Sequence, residues 1–401
     1  MKYVIVIPDG AADYPLDELD GQTPLAAANT PHTDALAVDG RQGTVVTTPE
    51  GYACGSDVCT MSLLGYDPRR YHTGRAPLEA AALGIDMSES EWVFRVNLVT
   101  VVDGCMQDHS AGHISEAEAR QLVTQFAERM TTEGLELHPG VSYRNIMVDR
   151  AGRDWSELAS TAPHDIPGEP IRKYMPIGGE HAHLLQQFVA ESEVFLREHE
   201  INLTRREIGD LPATHMWPWG QGVSPSMPSF HRRFALNGAM ITAVDLLAGL
   251  ARFIGWDRLD VPGQTSYHDN DYQATGEHAV KALDDYDVVC VHVESPDEAA
   301  HAADPQTKIA TIEAIDQHVV GPIVHALNAQ SEPWRVLMLP DHYTRIDTRK
   351  HDPTPVPFLM SGAGVRTVLQ RPFTEANANE SDLHVPFGHE LMEYFLFSGL
   401  D

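Results

Sequence analysis

Short apolar runs rich in β-branched residues recur along the chain and predict buried strands. Several of these runs end at glycine, proline or aspartate, as expected where a strand passes into a turn. The predicted strands are Tyr3–Ile7, Gln42–Thr48, Trp92–Gly104, Tyr286–Val293, Trp334–Pro340 and Pro355–Gly362.

Stretches with apolar residues at helical spacing separate these strands. They predict helices over Ser115–Gly134, with Ser115 as the cap, over Gly238–Gly255 and over Asp57–Gly65, and a turn with a short helix in Thr23–Gly40. Strands that alternate with helices at both ends of the chain predict an α/β fold on one mostly parallel sheet. Proline and glycine recur over Pro163–Phe230, which predicts a loop-rich, separate unit inserted into that fold.

The chain has 401 residues, 42% of them hydrophobic, which is enough for two or three domains with buried cores. It is strongly acidic, since 28 Lys+Arg face 58 Asp+Glu and give a formal net charge of −30. This charge argues against nucleic acid and anionic membranes as partners. A small anionic substrate would need a local basic cluster.

The sequence also predicts a soluble, cytoplasmic protein. The N-terminal run ends in Pro8 and Asp9 and is typical of a strand rather than a signal peptide, and no apolar run approaches the ~20 residues that span a bilayer. Four cysteines occur without a C-x-x-C pair, which argues against a disulfide framework or a structural zinc site. The sequence leaves a monomer and a homo-oligomer both open.

Carboxylates and histidines collect where predicted strands end. In an open parallel sheet, the residues that follow the strands meet in one crevice. Oxygen ligands mixed with imidazole suit Mn²⁺, Zn²⁺ or Mg²⁺, and so many ligands fit two ions, as in two-metal phosphatases. The residues are Asp9, Asp297, His301, Asp341 and His342, with His351 just before a strand.

Ser56, in the triplet Gly55-Ser56-Asp57, has two interpretations. It is either the N-cap of the helix that follows or a nucleophile placed where helix N–H groups can hold a phosphate. The collection of metal-type ligands elsewhere in the chain favours the nucleophile, because a metal ion can deprotonate a serine near neutral pH.

These residues lie in motifs that resemble the archaeal-type cofactor-independent phosphoglycerate mutases of the alkaline phosphatase superfamily. The resemblance covers most of the chain and rests on IPDGAADYPL, GSD…SLLGYDP, YHTGRAPLEA, FRVNLVT, SAGHIS, HDIPG, HVESPDEAAH, LPDHYT and KHDPTPVPF. It implies an alkaline-phosphatase-like three-layer core at residues 1–74 and 233–401, with an inserted α+β phosphotransferase domain at 75–232.

The resemblance also implies roles for individual residues. One metal ion would be held by Asp297, His301 and His351, and the other by Asp9, Ser56, Asp341 and His342. Ser56 would become phosphoserine, with His113 as a second catalytic residue. Arg75, Arg95, Arg144 and Asp165 would lie at the substrate. The implied enzyme is a glycolytic isomerase that needs two divalent ions and no 2,3-bisphosphoglycerate.

Two departures from the family pattern keep other functions open. Trp219, in WPWGQG, stands where the family carries an arginine, and Thr275 stands near the place of a lysine. The leading hypothesis is a mutase acting on 3-phosphoglycerate and 2-phosphoglycerate. The alternative is a related phosphatase or phosphotransferase, such as a homoserine kinase, although the chain carries no GxxxxGK[ST] loop. A binding protein with structural metals is disfavoured by a nucleophile among the ligands.

Overall fold

The computed structural model describes residues 1–399, and the chain divides into two compact units. Unit 1 combines Met1–His72 with Met227–Asp401, and unit 2 is the segment Thr73–Ser226. The inserted domain expected from the sequence covers residues 75–232. Among the helices within residues 1–399, none is long and apolar enough to cross a membrane.

The strands within residues 1–399, numbered along the chain, are β1 (Lys2–Pro8), β2 (Arg41–Val45), β3 (Trp92–Val102), β4 (Cys105–Asp108), β5 (Leu135–Val141), β6 (Arg144–Asp149), β7 (His215–Val223), β8 (Gly238–Ile241), β9 (Asp257–Arg258), β10 (Val288–Val293), β11 (Trp334–Met338), β12 (Tyr343–Arg345), β13 (Lys350–Asp352), β14 (Val356–Gly362) and β15 (His384–Val385). The α-helices in the same residues are α1 (Pro24–Ala27), α2 (Pro31–Val38), α3 (Ser56–Leu63), α4 (Pro68–Tyr71), α5 (Arg75–Ala82), α6 (Glu116–Ala127), α7 (Ala182–Arg197), α8 (Glu200–Ile208), α9 (Phe230–Phe234), α10 (Asp245–Phe253), α11 (Tyr272–Ala282), α12 (Ser295–His301), α13 (Pro305–Ile315), α14 (Gly321–Ala329), α15 (Glu375–Asn379) and α16 (Gly388–Phe397). A π-helical turn at Asp316–Val320 joins α13 to α14.

Unit 1 is built on a sheet whose strands, in the described part of the chain, lie in the order β15–β2–β14–β11–β1–β10–β8–β9. Strand β14 runs antiparallel to β11 and β2, and the other neighbouring strands are parallel. The expected α/β fold with a mostly parallel sheet is therefore confirmed.

Helices cover both faces of this sheet, because successive side chains of a strand point to opposite sides. Val4 and Val6 of β1 enter an apolar core shared with α2, α11, α13 and α14. Tyr3 points the other way, where its ring lies 5.7 Å from that of Phe395 in α16 and its hydroxyl donates to the Leu396 carbonyl. Unit 1 thus has three layers.

Unit 2 is an antiparallel sheet with helices packed on it. Strand β3 is central, since it pairs with β4 and β6 and also with β7. Phe94, Val96 and Leu98 of β3 pack in one core with α6 and α7. Val93 belongs to a smaller core with Ala76 of α5. The alternation of these side chains along β3 explains why both faces carry helices.

The helix predicted over Gly238–Gly255 is wrong at its start. Gly238–Ile241 forms β8, and α10 begins only at Asp245. The residues of β8 are buried beside β10, and a short apolar run of this kind fits a buried strand as well as a helix. A Cβ on Gly238 would lie 2.3 Å from the Trp256 indole, so the strand needs glycine here.

Two further predictions on secondary structure need correction. The segment Pro163–Phe230 is less loop-rich than expected, because it holds α7, α8 and β7 and is part of unit 2. The helix after Ser115 has the expected capping box but ends at Ala127 and not at Gly134. Beyond that end, the Thr131 hydroxyl donates to Glu191 of α7, which fixes these residues in a non-helical link.

Candidate active site

The carboxyl ends of three neighbouring strands deliver the acidic residues of the site. Strand β1 lies between β10 and β11, parallel to both. Asp9 follows β1, Asp341 follows β11, and Asp297 lies in α12 directly after β10. Parallel strands end at the same edge of a sheet, and the structure accordingly brings these carboxylates together.

Asp297, His301 and His351 form the first ligand group. The Nε2 atom of His301 lies 3.1 Å from Asp297 Oδ2 and 3.0 Å from His351 Nε2. Both rings direct Nδ1 at backbone carbonyls, His301 at Arg349 and His351 at Cys54, so Nδ1 carries the hydrogen in each neutral ring. Two Nε2 lone pairs and a carboxylate then face one point, which suits a cation.

Asp9, Asp341, His342 and Ser56 form the second ligand group. Ser56 Oγ lies 3.3 Å from Asp9 Oδ2 and 3.3 Å from His342 Nε2. His342 Nε2 is 3.4 Å from Asp341 Oδ2. Burial, followed by the negative charges of Asp341 and Asp297, raises the pKa of Asp9 well above its usual value. Carboxylates crowded in this way need positive charge nearby.

The two groups adjoin each other. The rings of His342 and His351 stack with centroids 3.9 Å apart. Ligand atoms of Asp9, Asp297 and His342 also lie within 4.8 Å of one another. The seven residues expected to hold metal thus form one continuous cluster, and their role as ligands stays a prediction.

Three buried polar atoms in the cluster support a cation site. Asp9 Oδ1, Asp341 Oδ2 and His292 Nε2 are buried without a hydrogen-bond partner. His292 Nε2 lies 3.0 Å from Asp9 Oδ2, but the two atoms are not aligned as a hydrogen bond. Orphaned oxygen and imidazole atoms of this kind are those that divalent metal ions bind. The residues present fit such an ion.

Sequence reasoning missed His292 and Thr344. His292 lies inside the apolar run of β10, where a histidine is hard to distinguish from a core residue. Thr344 Oγ1 donates to Asp297 Oδ1 at 2.5 Å, so it accepts from Nδ1 of His342 at 3.0 Å. This relay places the hydrogen of His342 on Nδ1 and turns the Nε2 lone pair towards Ser56 and Asp9.

Burial keeps the His342 ring in the neutral form, which the hydrogen-bond relay through Thr344 requires. Burial is the main cause that lowers the pKa of His342, so the ring is neutral. Gly10 makes room for the relay: its φ is +60°, and a Cβ there would lie 2.4 Å from Thr344 Oγ1 and 2.6 Å from Asp297 Oδ1. A buried lysine, Lys308, donates to the Thr344 carbonyl at 2.7 Å and fixes its backbone.

Ser56 is not the N-cap of its helix. The N-cap of α3 is Gly55, and Ser56 is the first helical residue. Its hydroxyl faces Asp9 and His342 and not the N–H groups of the first turn. The next residue, Asp57, is buried and lies 2.8 Å from His72 Nε2. The cap interpretation is therefore wrong, and the hydroxyl is held towards the ligand cluster.

In unit 2, the structure places Arg95 beside Trp219. The Arg95 guanidinium lies 4.2 Å from the Trp219 ring centre and pairs through two nitrogens with the Glu79 carboxylate. The Trp219 indole N–H donates to Asn97 Oδ1 at 2.9 Å. Trp219 thus stacks on an arginine and supplies no charge of its own, and its replacement of a family arginine stays a prediction.

Further arginines and histidines surround this pair, and we call them, with Arg95, the basic patch. Burial lowers the pKa of Arg95, and the charges of two neighbouring arginines act in the same direction. Ring contacts link the histidines to Tyr143 and Trp219. The basic patch consists of Arg75, Arg95, Arg144, His109, His113 and His164.

The remaining residues that the sequence analysis singled out have different surroundings. His113 has a left-handed φ of 51°, and its ring lies 6.4 Å from that of Tyr143, beside Arg144. The Asp165 side chain is 67% exposed, with Oδ1 3.8 Å from His164 Nε2. Thr275 is buried in α11, where its hydroxyl donates to the Asp271 carbonyl. Sequence reasoning missed His109 and His164, whose proximity depends on the fold of unit 2.

The protein is similar along its whole length to phosphoglycerate mutases. A family model described as 2,3-bisphosphoglycerate-independent phosphoglycerate mutase matches residues 37–202. A mutase of that name from Methanothrix thermoacetophila is 46% identical over 396 residues, which is 99% of this chain and 100% of the relative. A mutase of Methanothermobacter thermautotrophicus is 45% identical over 99% of this chain and 97% of its own.

A solved structure supports the fold. A protein from Pyrococcus horikoshii superposes with a TM-score of 0.85 at 28% identity, and the match covers 98% of this chain and 96% of that one. The resemblance seen in the sequence motifs is confirmed: the chain belongs to the family of 2,3-bisphosphoglycerate-independent phosphoglycerate mutases.

Proposed function

We propose that this protein interconverts 3-phosphoglycerate and 2-phosphoglycerate through a phosphoserine at Ser56, with two divalent metal ions and without 2,3-bisphosphoglycerate. The observation that carries the proposal is the position of Ser56. Its hydroxyl oxygen lies 3.3 Å from ligand atoms of Asp9 and His342, at the first residue of α3. A serine in this setting is a nucleophile within a phosphate-binding site.

Each ligand group would hold one ion. Asp297, His301 and His351 would bind the first, and Asp9, Ser56, Asp341 and His342 the second. Their mixture of oxygen and imidazole suits Mn²⁺, Zn²⁺ or Mg²⁺. When bound, such ions neutralise carboxylate and phosphate charge and lower the pKa of a coordinated hydroxyl. His292 is a further candidate ligand, because its Nε2 groups with Asp9 and Asp341.

The residues of α3 would position the transferred phosphoryl group. Ser56 Oγ attacks phosphorus, and the substrate oxygen leaves. The backbone N–H groups of the first turn of α3 point towards the same end of the helix as Ser56 and would hold the phosphoryl oxygens. Transfer back to the other hydroxyl of the same glycerate completes the isomerisation.

Unit 2 would be the phosphotransferase domain and would hold the glycerate. Arg75 and Arg144 would bind the carboxylate of the glycerate. Arg95, which pairs with Glu79, would hold the neighbouring side chains of the site in position. His113 would move a proton to and from the substrate hydroxyls, because an imidazole can both donate and accept a proton in general acid–base catalysis. Asp165 would orient the same region through His164. The three arginines of the basic patch supply the local positive charge that a chain of net charge −30 needs for an anion.

We also place the enzyme in the cytoplasm, as a monomer or homo-oligomer with no nucleic-acid or membrane partner. Support comes from the strongly acidic composition. The mutase is preferred to a homoserine kinase or a phosphatase because the named relatives that cover the whole chain are mutases.

The test supplies 3-phosphoglycerate and Mn²⁺ and follows 2-phosphoglycerate by NMR. Homoserine with ATP, and an aryl phosphate, are assayed in parallel. Wild type should form 2-phosphoglycerate, and Ser56→Ala should not. Ser62→Ala is a matched control in the same helix, because the buried Ser62 hydroxyl has no hydrogen-bond partner. Phosphorylation of homoserine without isomerisation would contradict the proposal.

A further inference from the structure

Three consecutive residues of unit 2 have a left-handed backbone conformation. Their φ angles are +50° at Ala111, +64° at Gly112 and +51° at His113. Left-handed residues normally occur singly, and only glycine adopts this conformation without strain. Strained backbone persists where the surrounding structure holds it, and it is concentrated at functional sites. His113 is exposed, whereas Ala111 and Ile114 on either side of it are buried, so the run presents one exposed ring from a buried base.

Asp108, the last residue of β4, holds this run from its beginning. Its Oδ1 atom accepts hydrogen bonds from the Ser110 N–H at 2.8 Å, the Ser110 hydroxyl at 2.7 Å and the Gly112 N–H at 2.9 Å. The Ser110 hydroxyl oxygen in turn accepts from the His113 N–H at 3.1 Å. A single carboxylate oxygen therefore fixes the His113 backbone through a fully buried serine.

Arg205, a buried residue of α8, holds the same run from the other side. Its Nη2 atom donates to the Ala111 carbonyl at 3.0 Å, and its Nε atom donates to the Leu211 carbonyl at 3.0 Å. Its Nη1 atom donates to Glu118 of α6 at 3.0 Å. Because a guanidinium is planar and its donors point in fixed directions, these three bonds set the orientation of the Ala111 carbonyl.

We propose that Asp108 and Arg205 are positioning residues, which hold His113 in the one backbone conformation that gives its ring a fixed direction. This inference rests on the proposed function, in which His113 moves a proton to and from the substrate hydroxyls. A proton moves only between groups within hydrogen-bond reach. Without either side chain, the run relaxes to unstrained conformations and the ring turns away. A misplacement of about 1 Å at a reacting group costs on the order of 10²-fold in rate.

The experiment measures kcat and KM of whole-protein variants for the conversion of 3-phosphoglycerate to 2-phosphoglycerate with Mn²⁺. Arg205→Met should lower kcat on the order of 10²-fold and leave KM almost unchanged, because the groups that bind substrate stay in place. Arg206→Met is the matched control in the same helix and should behave as wild type, because Arg206 is exposed and its Nη1 donates to the Arg197 carbonyl. Ser110→Ala removes the acceptor of the His113 N–H and should also lower kcat and not KM.

A second substitution separates positioning from a general structural role. Glycine adopts a positive φ without steric cost, so Ala111→Gly raises the population of the left-handed run when Arg205 is absent. The double variant Arg205→Met with Ala111→Gly should therefore recover part of the lost kcat. A purely structural role of Arg205 predicts no recovery, because glycine removes a buried methyl group as well.

Three results would overturn the proposal: Arg205→Met with the kcat of wild type, an equal loss in Arg206→Met, and a double variant without recovery. If Arg205→Met fails to fold, Ser110→Ala decides, and the kcat of wild type in that variant would overturn the proposal. If wild type shows no mutase activity, the proposed function fails and hydrogen exchange decides the positioning. The Gly112 and His113 amides should exchange faster in Ser110→Ala than in wild type, and equal rates would overturn the proposal.

Discussion

Replacing Thr344 by valine tests how the two ligand groups are held together. Thr344 Oγ1 donates to Asp297 in the first group and accepts from His342 in the second. Valine keeps the shape and removes both hydrogen bonds. The hydrogen on His342 Nδ1 then has no fixed acceptor, so the tautomer that turns Nε2 towards Ser56 loses its support.

The expected effect is a weaker affinity for metal in both groups. Two buried hydrogen bonds contribute about 1–3 kcal/mol together, since each is worth about 0.5–1.5 kcal/mol. Residues that orient metal ligands typically change metal affinity by about 10- to 100-fold. We therefore expect the Kd for Mn²⁺ to rise by about this factor in each binding step.

Calorimetric titration of the metal-free protein with Mn²⁺ provides the measurement. Thr311→Val is the matched control, because the buried Thr311 hydroxyl donates only to the Lys308 carbonyl within its own helix. Thr344→Val with the affinity of wild type would refute the relay. A loss of equal size in Thr311→Val would show that the effect is general and not due to Thr344.

Three other predictions follow from the same structure. Lys308→Met should lower the free energy of unfolding by about 3–5 kcal/mol in urea titrations, because the buried carboxylate that pairs with Lys308 then has no positive partner. The control Lys281→Met, at an exposed position, should change the free energy of unfolding by less than about 0.5 kcal/mol. Equal effects of the two substitutions would contradict this prediction. Arg95→Lys should lower the free energy of unfolding by about 2 kcal/mol, because lysine can neither pair with Glu79 through two nitrogens nor stack as well on Trp219. An unchanged free energy of unfolding would count against a stabilising role for these two contacts. Chelation should abolish isomerase activity and Mn²⁺ should restore it, so full activity after exhaustive dialysis against EDTA would disprove the metal requirement.

The sequence predicted those parts of the site that follow strand ends. Asp9 and Asp341 come directly after an apolar run and Asp297 follows one after three residues, so local pattern and the geometry of parallel sheets suffice to bring them together. Thr344 and Lys308 could not be found in this way. Their roles depend on contacts with residues far apart in the chain, and a threonine or a lysine alone carries no such signal.

The errors in secondary structure have a related cause. Gly238–Ile241 forms a strand because it pairs with β10 and lies against Trp256, neither of which the local sequence reveals. Helix α7 was not predicted, because the prolines and glycines around it indicated loops. Leu185, Phe188 and Val189 are nevertheless buried at helical spacing. In both places tertiary contacts decided between alternatives that the local pattern left open.

The most direct test of the central claim is to follow the phosphoryl group. The protein is mixed with Mn²⁺ and 3-phosphoglycerate carrying a radioactive phosphate, then quenched and digested. We expect label on the peptide that contains Ser56 in wild type, none in Ser56→Ala, and recovery of the label in 2-phosphoglycerate. Label that never reaches Ser56 while 2-phosphoglycerate still forms, or label that leaves Ser56 only as inorganic phosphate, would contradict the account.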